Sequence, residues 1–251
     1  MKTAFITGAG GYIGSQTALT LAKEGANIAV CDINKAAAEN TVQKITAMGA
    51  NAKGYVCDVS DSRDIELAMG KAVTDFGSLD IMVHVAGGSA RIAGGAYVPL
   101  TEQQDSVIDK VIKVNLYGAI WASRAAARIM IKQGTGGKIV NFASAVGING
   151  LQTCCDYAAA KGGVMSLTKS LAKELGQYKI NVNAVSPGIV MRPEEDGGSD
   201  RSLKTNYLGE KCTADDIANL VAFLVSDKAK FITGQIYVCD GGRTLAMKGS
   251  D

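Results

Sequence analysis

Seven short apolar runs, at 3–7, 27–31, 52–57, 79–85, 137–142, 180–186 and 235–239, punctuate this chain at intervals that leave room for a helix between most neighbours. Each has the length of a strand, and their near-continuous apolar character is that of strands covered on both faces. Helical periodicity fills 12–24, 34–48, 61–76, 102–132, 155–177 and 213–226, several of these opened by cap-forming residues: Asn34, Ser60 or Asp61, and Thr213. Strand and helix in alternation predict an α/β fold: a doubly wound, seven-stranded parallel sheet with helices on both faces, built as one domain over 1–251. Two stretches break the rhythm, the Gly- and Ala-rich 87–100 and the polar 189–210. Both follow the carboxyl ends of predicted strands, where open sheets of this kind bind ligands, so they are expected to wall a pocket, the second as a mobile loop.

Composition narrows the partners. A chain of 251 residues, 47% hydrophobic, is long enough to bury a substantial core. Its net charge of +2 sets up no field that would draw nucleic acid or an anionic membrane. The six cysteines, Cys31, Cys57, Cys154, Cys155, Cys212 and Cys239, lack metal-ligand spacing and read as reduced thiols of a cytoplasmic protein. Glycines interrupt the apolar start before it makes an export signal, and no apolar run reaches the ~18 residues that a membrane span needs.

Gly8, Gly11 and Gly14 follow the first predicted strand and open the first helix. There a backbone without side chains can turn tightly and present bare N–H groups to a pyrophosphate at a helix amino terminus. An ordinary glycine turn is the plain alternative. Asp32 ends the second strand, where a carboxylate accepts hydrogen bonds from adenosine ribose hydroxyls and repels a 2′-phosphate, favouring NAD over NADP. No Lys or Arg lies in residues 8–22, and Lys35 is the only base nearby. Asp32 read blandly is a cap for the next helix. Asp58, after the third strand, is placed to meet the adenine amino group or simply to form a turn.

Tyr157 and Lys161 fall one helical turn apart on one face. A phenol of pKa about 10 is a poor base near neutrality, and lowering it by about three units needs roughly 4 kcal/mol of selective stabilisation of the phenolate. A neighbouring ammonium and a cationic nicotinamide are groups able to supply it. Ser144, just past the fifth strand, has a hydroxyl that can steady a carbonyl or alkoxide oxygen; a turn residue is the alternative. Asn115 interrupts an apolar helix, where its amide must be satisfied or serve as a relay.

These four residues in order, with the opening glycine loop, resemble the short-chain dehydrogenase/reductase family in its single-domain form. The likeness runs along nearly the whole chain, through Ala86-Gly87, Asn183-Ala184-Val185-Ser186-Pro187-Gly188, Ile232-Thr233-Gly234-Gln235 and Val238-Cys239-Asp240-Gly241-Gly242. The resemblance implies that Tyr157 is the general acid/base and that Lys161 binds the nicotinamide ribose and lowers the tyrosine pKa. It implies further that Ser144 holds the substrate oxygen and Asn115 anchors a water in a proton relay. By the same resemblance NAD is also contacted by Tyr12, Ile13, Val59, Ala86, Gly87, Pro187, Gly188 and Val190. The implied partners are a small-molecule alcohol or ketone and further copies of the chain, as a homotetramer joined through helices near 102–132 and 155–177.

Three departures from the family pattern stand out. Tyr12 occupies a position that is usually glycine, so Gly8, Gly11 and Gly14 carry the spacing of the longer sugar-nucleotide branch, whose extra carboxyl-terminal domain this chain lacks. His84 and Val85 replace paired asparagines, His84 reading as a strand side chain rather than a catalyst. Arg192 stands where a threonine often bonds the carboxamide. Arg192, with Arg91 or Arg201, is a candidate for recognising an anionic substrate, or else a solvated arginine; Cys154, beside Cys155, is a candidate substrate contact, or else packing. The expected activity is NAD-dependent interconversion of a secondary alcohol and a ketone. Its rivals are a catalytically silent NAD sensor or scaffold, and a sugar-nucleotide epimerase or dehydratase.

Overall fold

The structure, a computed structural model, describes residues 1–191 and 206–245. Its strands are β1 (Thr3–Thr7), β2 (Asn27–Asp32), β3 (Ala52–Val56), β4 (Ile81–His84), β5 (Gly137–Phe142), β6 (Ile180–Pro187) and β7 (Ile236–Cys239). All pair in parallel, in the order β3-β2-β1-β4-β5-β6-β7. The winding direction reverses between β1 and β4, which opens a crevice at their carboxyl ends.

The helices are α1 (Tyr12–Lys23), α2 (Lys35–Ala47), α3 (Ser62–Phe76), α4 (Asp105–Ile112), α5 (Gly118–Gln133), α6 (Val146–Asn149), α7 (Cys155–Leu175) and α8 (Ala214–Val225). They divide between the faces because successive strand residues point to opposite sides. From β1, Ala4 and Ile6 enter a core with Leu21 of α1, Ile45 of α2 and Val221 of α8. Phe5 enters the other, with Met69 of α3, Met130 of α5 and Leu175 of α7.

The caps behave as their chemistry predicts. Asn34 accepts a hydrogen bond from the Ala37 N–H (3.1 Å), and Asp61, rather than Ser60, caps α3 by accepting from the Arg63 N–H (2.8 Å). At α8 the Asp216 carboxylate accepts from the Thr213 N–H at 2.7 Å. The predicted helix over 102–132 is the main departure. A 3₁₀ turn at Leu100–Glu102 precedes α4, and a π-helical turn, Lys113–Tyr117, separates α4 from α5. Asn115 sits in that turn, and a wide turn of this kind is a frequent mark of a functional site. The short helix α6 is also absent from the sequence pattern. Among the described residues no helix is long and apolar enough to cross a membrane, and no group of side chains suits a metal ion. All six cysteines are free thiols.

Candidate active site

Because every strand runs the same way, the loops that follow β1 to β6 meet at one edge of the sheet. They enclose a cleft of about 730 Å³, within the range of roughly 300–1,000 Å³ usual for small-molecule sites. Gly8, Gly11, Tyr12, Ile13, Gly14, Asp32, Asp58, Val59, Ala86, Gly87, Ser144, Tyr157, Lys161, Pro187, Gly188 and Val190 all line it. The fold thus brings these residues of the sequence reading to one cleft.

The first loop is shaped to receive a phosphate. Gly8 has φ +64°, and a Cβ there would stand 2.8 Å from the Ala86 backbone. One on Gly14 would stand 2.1 Å from the Gly8 carbonyl oxygen. The chain therefore folds back on itself as only glycine permits, bringing the start of α1 against the cleft. No side chain caps α1 and no acidic residue occupies its first turn, so its leading N–H groups and positive dipole end stay available to an anion. This cradle fits a dinucleotide pyrophosphate.

Asp32 has two tasks. Its carboxylate accepts from the Gly10 N–H and the Asn34 N–H, both at 2.9 Å, tying the glycine loop to β2. Helix capping itself falls to Asn34, and each Asp32 oxygen keeps a lone pair directed to other donors. Asp58 accepts from the Ser60 N–H (2.8 Å) and hydroxyl (2.7 Å), with the Lys110 ammonium 3.9 Å away. Partial burial pushes its carboxyl up, but the Ser60 hydrogen bonds and Lys110 outweigh this and leave it below its ordinary value. Lys110 gave no signal in the sequence; it lies on α4, far from any motif.

Ser144 follows β5 and leads into α6, which packs on α7 so closely that a Cβ on Gly147 would lie 2.8 Å from the Lys161 backbone carbon. That contact sets the serine beside the first two turns of α7, where Tyr157 and Lys161 share a face. Burial pushes the Tyr157 phenol above its ordinary value, the hydrogen bond with Ser144 pulls it down, and nearby Tyr97 and Cys154 push it up again. The net direction is opposite to what a base requires, because within the protein alone the cost of burying a phenolate exceeds the gain from one hydrogen bond. Lys161 is buried, its Nζ donating to the Phe142 carbonyl at 2.7 Å and lying 5.6 Å from the centre of the Tyr157 ring. Desolvation lowers its pKa to about 7.

Asn115 stands behind the cleft wall. Its Nδ2 donates to the carbonyls of Gly88 (2.7 Å) and Val111 (2.9 Å), and its Oδ1 accepts from the Gly88 N–H (3.0 Å). Asn115, which the resemblance implies to anchor a relay water, clamps the Gly88 backbone with its side chain. A Cβ on neighbouring Gly87 would meet the Asn115 Oδ1 at 2.5 Å and the Lys161 Nζ at 3.2 Å, so clamp and lysine are one packed unit. The amide forces this wide turn of helix by reaching across to another loop, which a local sequence pattern does not encode.

The four substrate candidates fare differently; the Arg91 side chain lies outside the described ones. Cys154 is buried, is absent from the cleft lining and stands at the N-cap of α7. Arg192 and Arg201 lie outside the described residues, as does most of the 189–210 stretch. Missed by sequence reasoning are Ser89, Ile92 and Tyr97, which line the cleft from the segment after β4; their signal was membership of the 87–100 wall.

His84 is fully buried in β4, its Nδ1 2.9 Å from the Thr7 hydroxyl. Its Nε2 has no well-formed partner, although the Val114 carbonyl is near enough to favour the protonated ring slightly. Burial above all, then the charge of Lys161, lowers its pKa from 6.5 to about 3. Between those values the unfolded chain holds the extra proton. Stability therefore falls as pH drops through that window, by up to about 1.4 kcal/mol per pH unit. Denaturant melts of His84→Asn at pH 6.5 and 4.5 are expected to show a smaller loss than the parent; equal losses would refute this assignment.

Comparison with known proteins agrees with this geometry. The family model described as enoyl-(acyl carrier protein) reductase matches residues 8–244. The chain is 35% identical to the (S)-acetoin-forming diacetyl reductase of Staphylococcus epidermidis, over 96% of this chain and 98% of that protein. It is 39% identical to the 3-oxoacyl-(acyl-carrier-protein) reductase of Staphylococcus aureus, over 96% and 97% respectively. The crystal structure of acetoin dehydrogenase from Enterobacter cloacae matches with a TM-score of 0.90 at 33% identity, covering 100% of this chain and 98% of that one.

Proposed function

This chain belongs to the short-chain dehydrogenase/reductase family, and from that membership we propose that it interconverts a secondary alcohol and a ketone with NAD, Tyr157 serving as general acid/base. The observation that carries the reading is the convergence of Ser144, Tyr157 and Lys161 on one cleft, the buried Lys161 Nζ lying 5.6 Å from the centre of the Tyr157 ring. In the oxidative direction the Tyr157 oxygen takes the proton of the substrate hydroxyl, and in reduction it returns a proton to the ketone oxygen. Ser144 donates a hydrogen bond to that same oxygen as its charge grows. The nicotinamide, when bound, accepts or donates the hydride, and its oxidised ring brings a positive charge. Lys161 adds a second cation beside the phenol, which favours the phenolate. Gly8, Gly11 and Gly14 hold the pyrophosphate and Asp32 the adenosine ribose.

Asp32 supports NAD over NADP by repelling a 2′-phosphate. Lys35, the nearest base by sequence, is exposed and sits 3.7 Å from Glu39. Initial rates with the two coenzymes are expected to favour NAD at least about tenfold, equivalent to about 1.4 kcal/mol, and Asp32→Ser is expected to erase most of that preference. Equal use of NADP by the parent protein would refute it.

Reduction of a ketone within a carrier-linked acyl chain is the second reading, favoured by the identity to the Staphylococcus aureus enzyme. The deciding assay follows reduced nicotinamide absorbance across a panel of secondary alcohols, ketones and 3-oxoacyl thioesters. Turnover of the small alcohols and ketones supports the first reading, and turnover of thioesters alone supports the second. Tight NAD binding without any turnover would instead mark a sensor.

A further inference from the structure

Asp156 stands immediately before Tyr157, and its carboxylate belongs to a residue only 5% exposed. Among the described residues no cation pairs with it. Burying a charge in this way is costly unless hydrogen bonds replace its water. Two do so. Its Oδ2 accepts from the Gln103 Nε2 at 2.7 Å, and its Oδ1 accepts from the Tyr157 N–H at 2.7 Å. The second donor lies in the first turn of α7, where no helical carbonyl reaches the leading N–H groups and the N-cap residue, Cys154, offers no side-chain bond. The positive end of the helix favours a carboxylate there as well.

Gln103 comes from the opposite side of the site. It closes the 3₁₀ turn Leu100–Glu102 and lies two residues before α4. From α4, Val107 and Val111 join Ala90 in a small apolar cluster, separate from the two cores of the sheet, and Tyr157 packs against it. The ring of Tyr157 is therefore braced by α4, while its backbone belongs to α7. The Gln103–Asp156 hydrogen bond ties these two frames together beside the tyrosine. Without it, α4 is free to shift against α7 and take its brace on the ring with it. A general acid/base has to lie within hydrogen-bond reach of the proton it moves, and a misplacement of about 1 Å can cost about 10²-fold in rate. We infer that Asp156 and Gln103 are positioning residues for the reaction, holding the Tyr157 oxygen in register with the substrate hydroxyl. This rests on the acid/base reading above and adds to it two residues that are absent from the cleft lining.

The test breaks the bond and then rebuilds it with the charge on the other side. Gln103→Glu sets two carboxylates face to face. On the fastest secondary alcohol of the panel above, its kcat is expected to fall about tenfold, with KM for the alcohol and Kd for NAD within about threefold of the parent. Adding Asp156→Asn restores both contacts, because the new amide donates to the new carboxylate while its oxygen accepts from the Tyr157 N–H. The double variant is expected to return kcat to within about threefold of the parent. Gln103→Ala removes the donor without adding a charge and is expected to lower kcat about fivefold, so the inference does not hang on the folding of the charged variant. Melting temperatures are measured alongside. Gln103 variants that melt earlier but keep the parent kcat overturn the inference, since the bond would then only stabilise the fold. A double variant that melts like the parent and is no faster than Gln103→Glu also overturns it. Tyr157→Phe, run in parallel, separates this inference from its premise: if that variant keeps a tenth of the parent kcat, the acid/base reading falls and the inference with it. If Tyr157→Phe is inactive and the Gln103 variants are unimpaired, the inference alone falls.

Discussion

Tyr157→Phe is expected to reduce kcat by about a thousandfold, the middle of the span of roughly 10²–10⁴ contributed by a positioned acid or base. The substitution removes one oxygen and keeps the ring in the wall. Ser144 keeps its contact with the Val146 N–H (3.2 Å), so the change leaves the surrounding loop intact. Affinity for NAD, measured by fluorescence titration, is therefore expected to stay within about threefold of the parent, because the loss is of an interaction made in the transition state. Steady-state rates on the best alcohol check the first half of the prediction. A variant that keeps a tenth of the parent kcat would remove Tyr157 from the role of proton carrier.

Gly14→Ala is expected to damage stability and coenzyme binding together. The new methyl would sit 2.1 Å from the Gly8 oxygen, 2.7 Å from its carbon and 2.9 Å from the Ala9 Cα. These are backbone atoms of a loop that cannot rotate out of the way. Either the loop or α1 has to shift. Overpacking of this kind costs about 3 kcal/mol, a drop in Tm of about 6–12 °C for a domain of this size. Because the displaced N–H groups are those offered to the pyrophosphate, NAD affinity should fall by more than about tenfold, which is over 1.4 kcal/mol. Gly70→Ala is the control. It lies on an exposed turn of α3 with nothing within 4 Å of the added methyl, and there alanine should raise stability by roughly 0.5–1 kcal/mol. Similar melting temperatures for Gly14→Ala and the parent would show that the loop yields more easily than its packing implies.

What the sequence disclosed and what it withheld have physical reasons. The strands are legible because burial on both faces demands unbroken apolar runs, and Phe5, Ile6, Ile28 and Ile139 are all fully buried. Tyr157 and Lys161 are legible because four residues on a helix leave no choice about their shared face. The glycine loop is legible because it directly follows a strand. The π-helical turn is not, since its cause is Asn115 reaching 27 residues back to Gly88. His84 shows the same limit. Its place in a strand follows from local pattern, but its tie to Thr7 crosses 77 residues. Ser89 and Tyr97 belong to a stretch correctly read as pocket wall, yet the hydrogen bond between their hydroxyls depends on how that stretch curls. For Cys154 the sequence leaves substrate contact and packing both open for a related reason: nearness to Tyr157 along the chain says little about which side of the wall a thiol occupies.

The packing of α1 on α8 has a consequence for how this protein is made. Leu21 and Ala22 share a core with Ile217 and Val221, and Gln16 donates to Asp215 at 2.6 Å across the same seam. The glycine cradle thus leans on a helix that lies some two hundred residues further along the chain. A nascent chain stalled anywhere before that helix would carry every cradle glycine and still lack the buttress beneath them. Coenzyme capture by the cradle is therefore expected to require that helix in place.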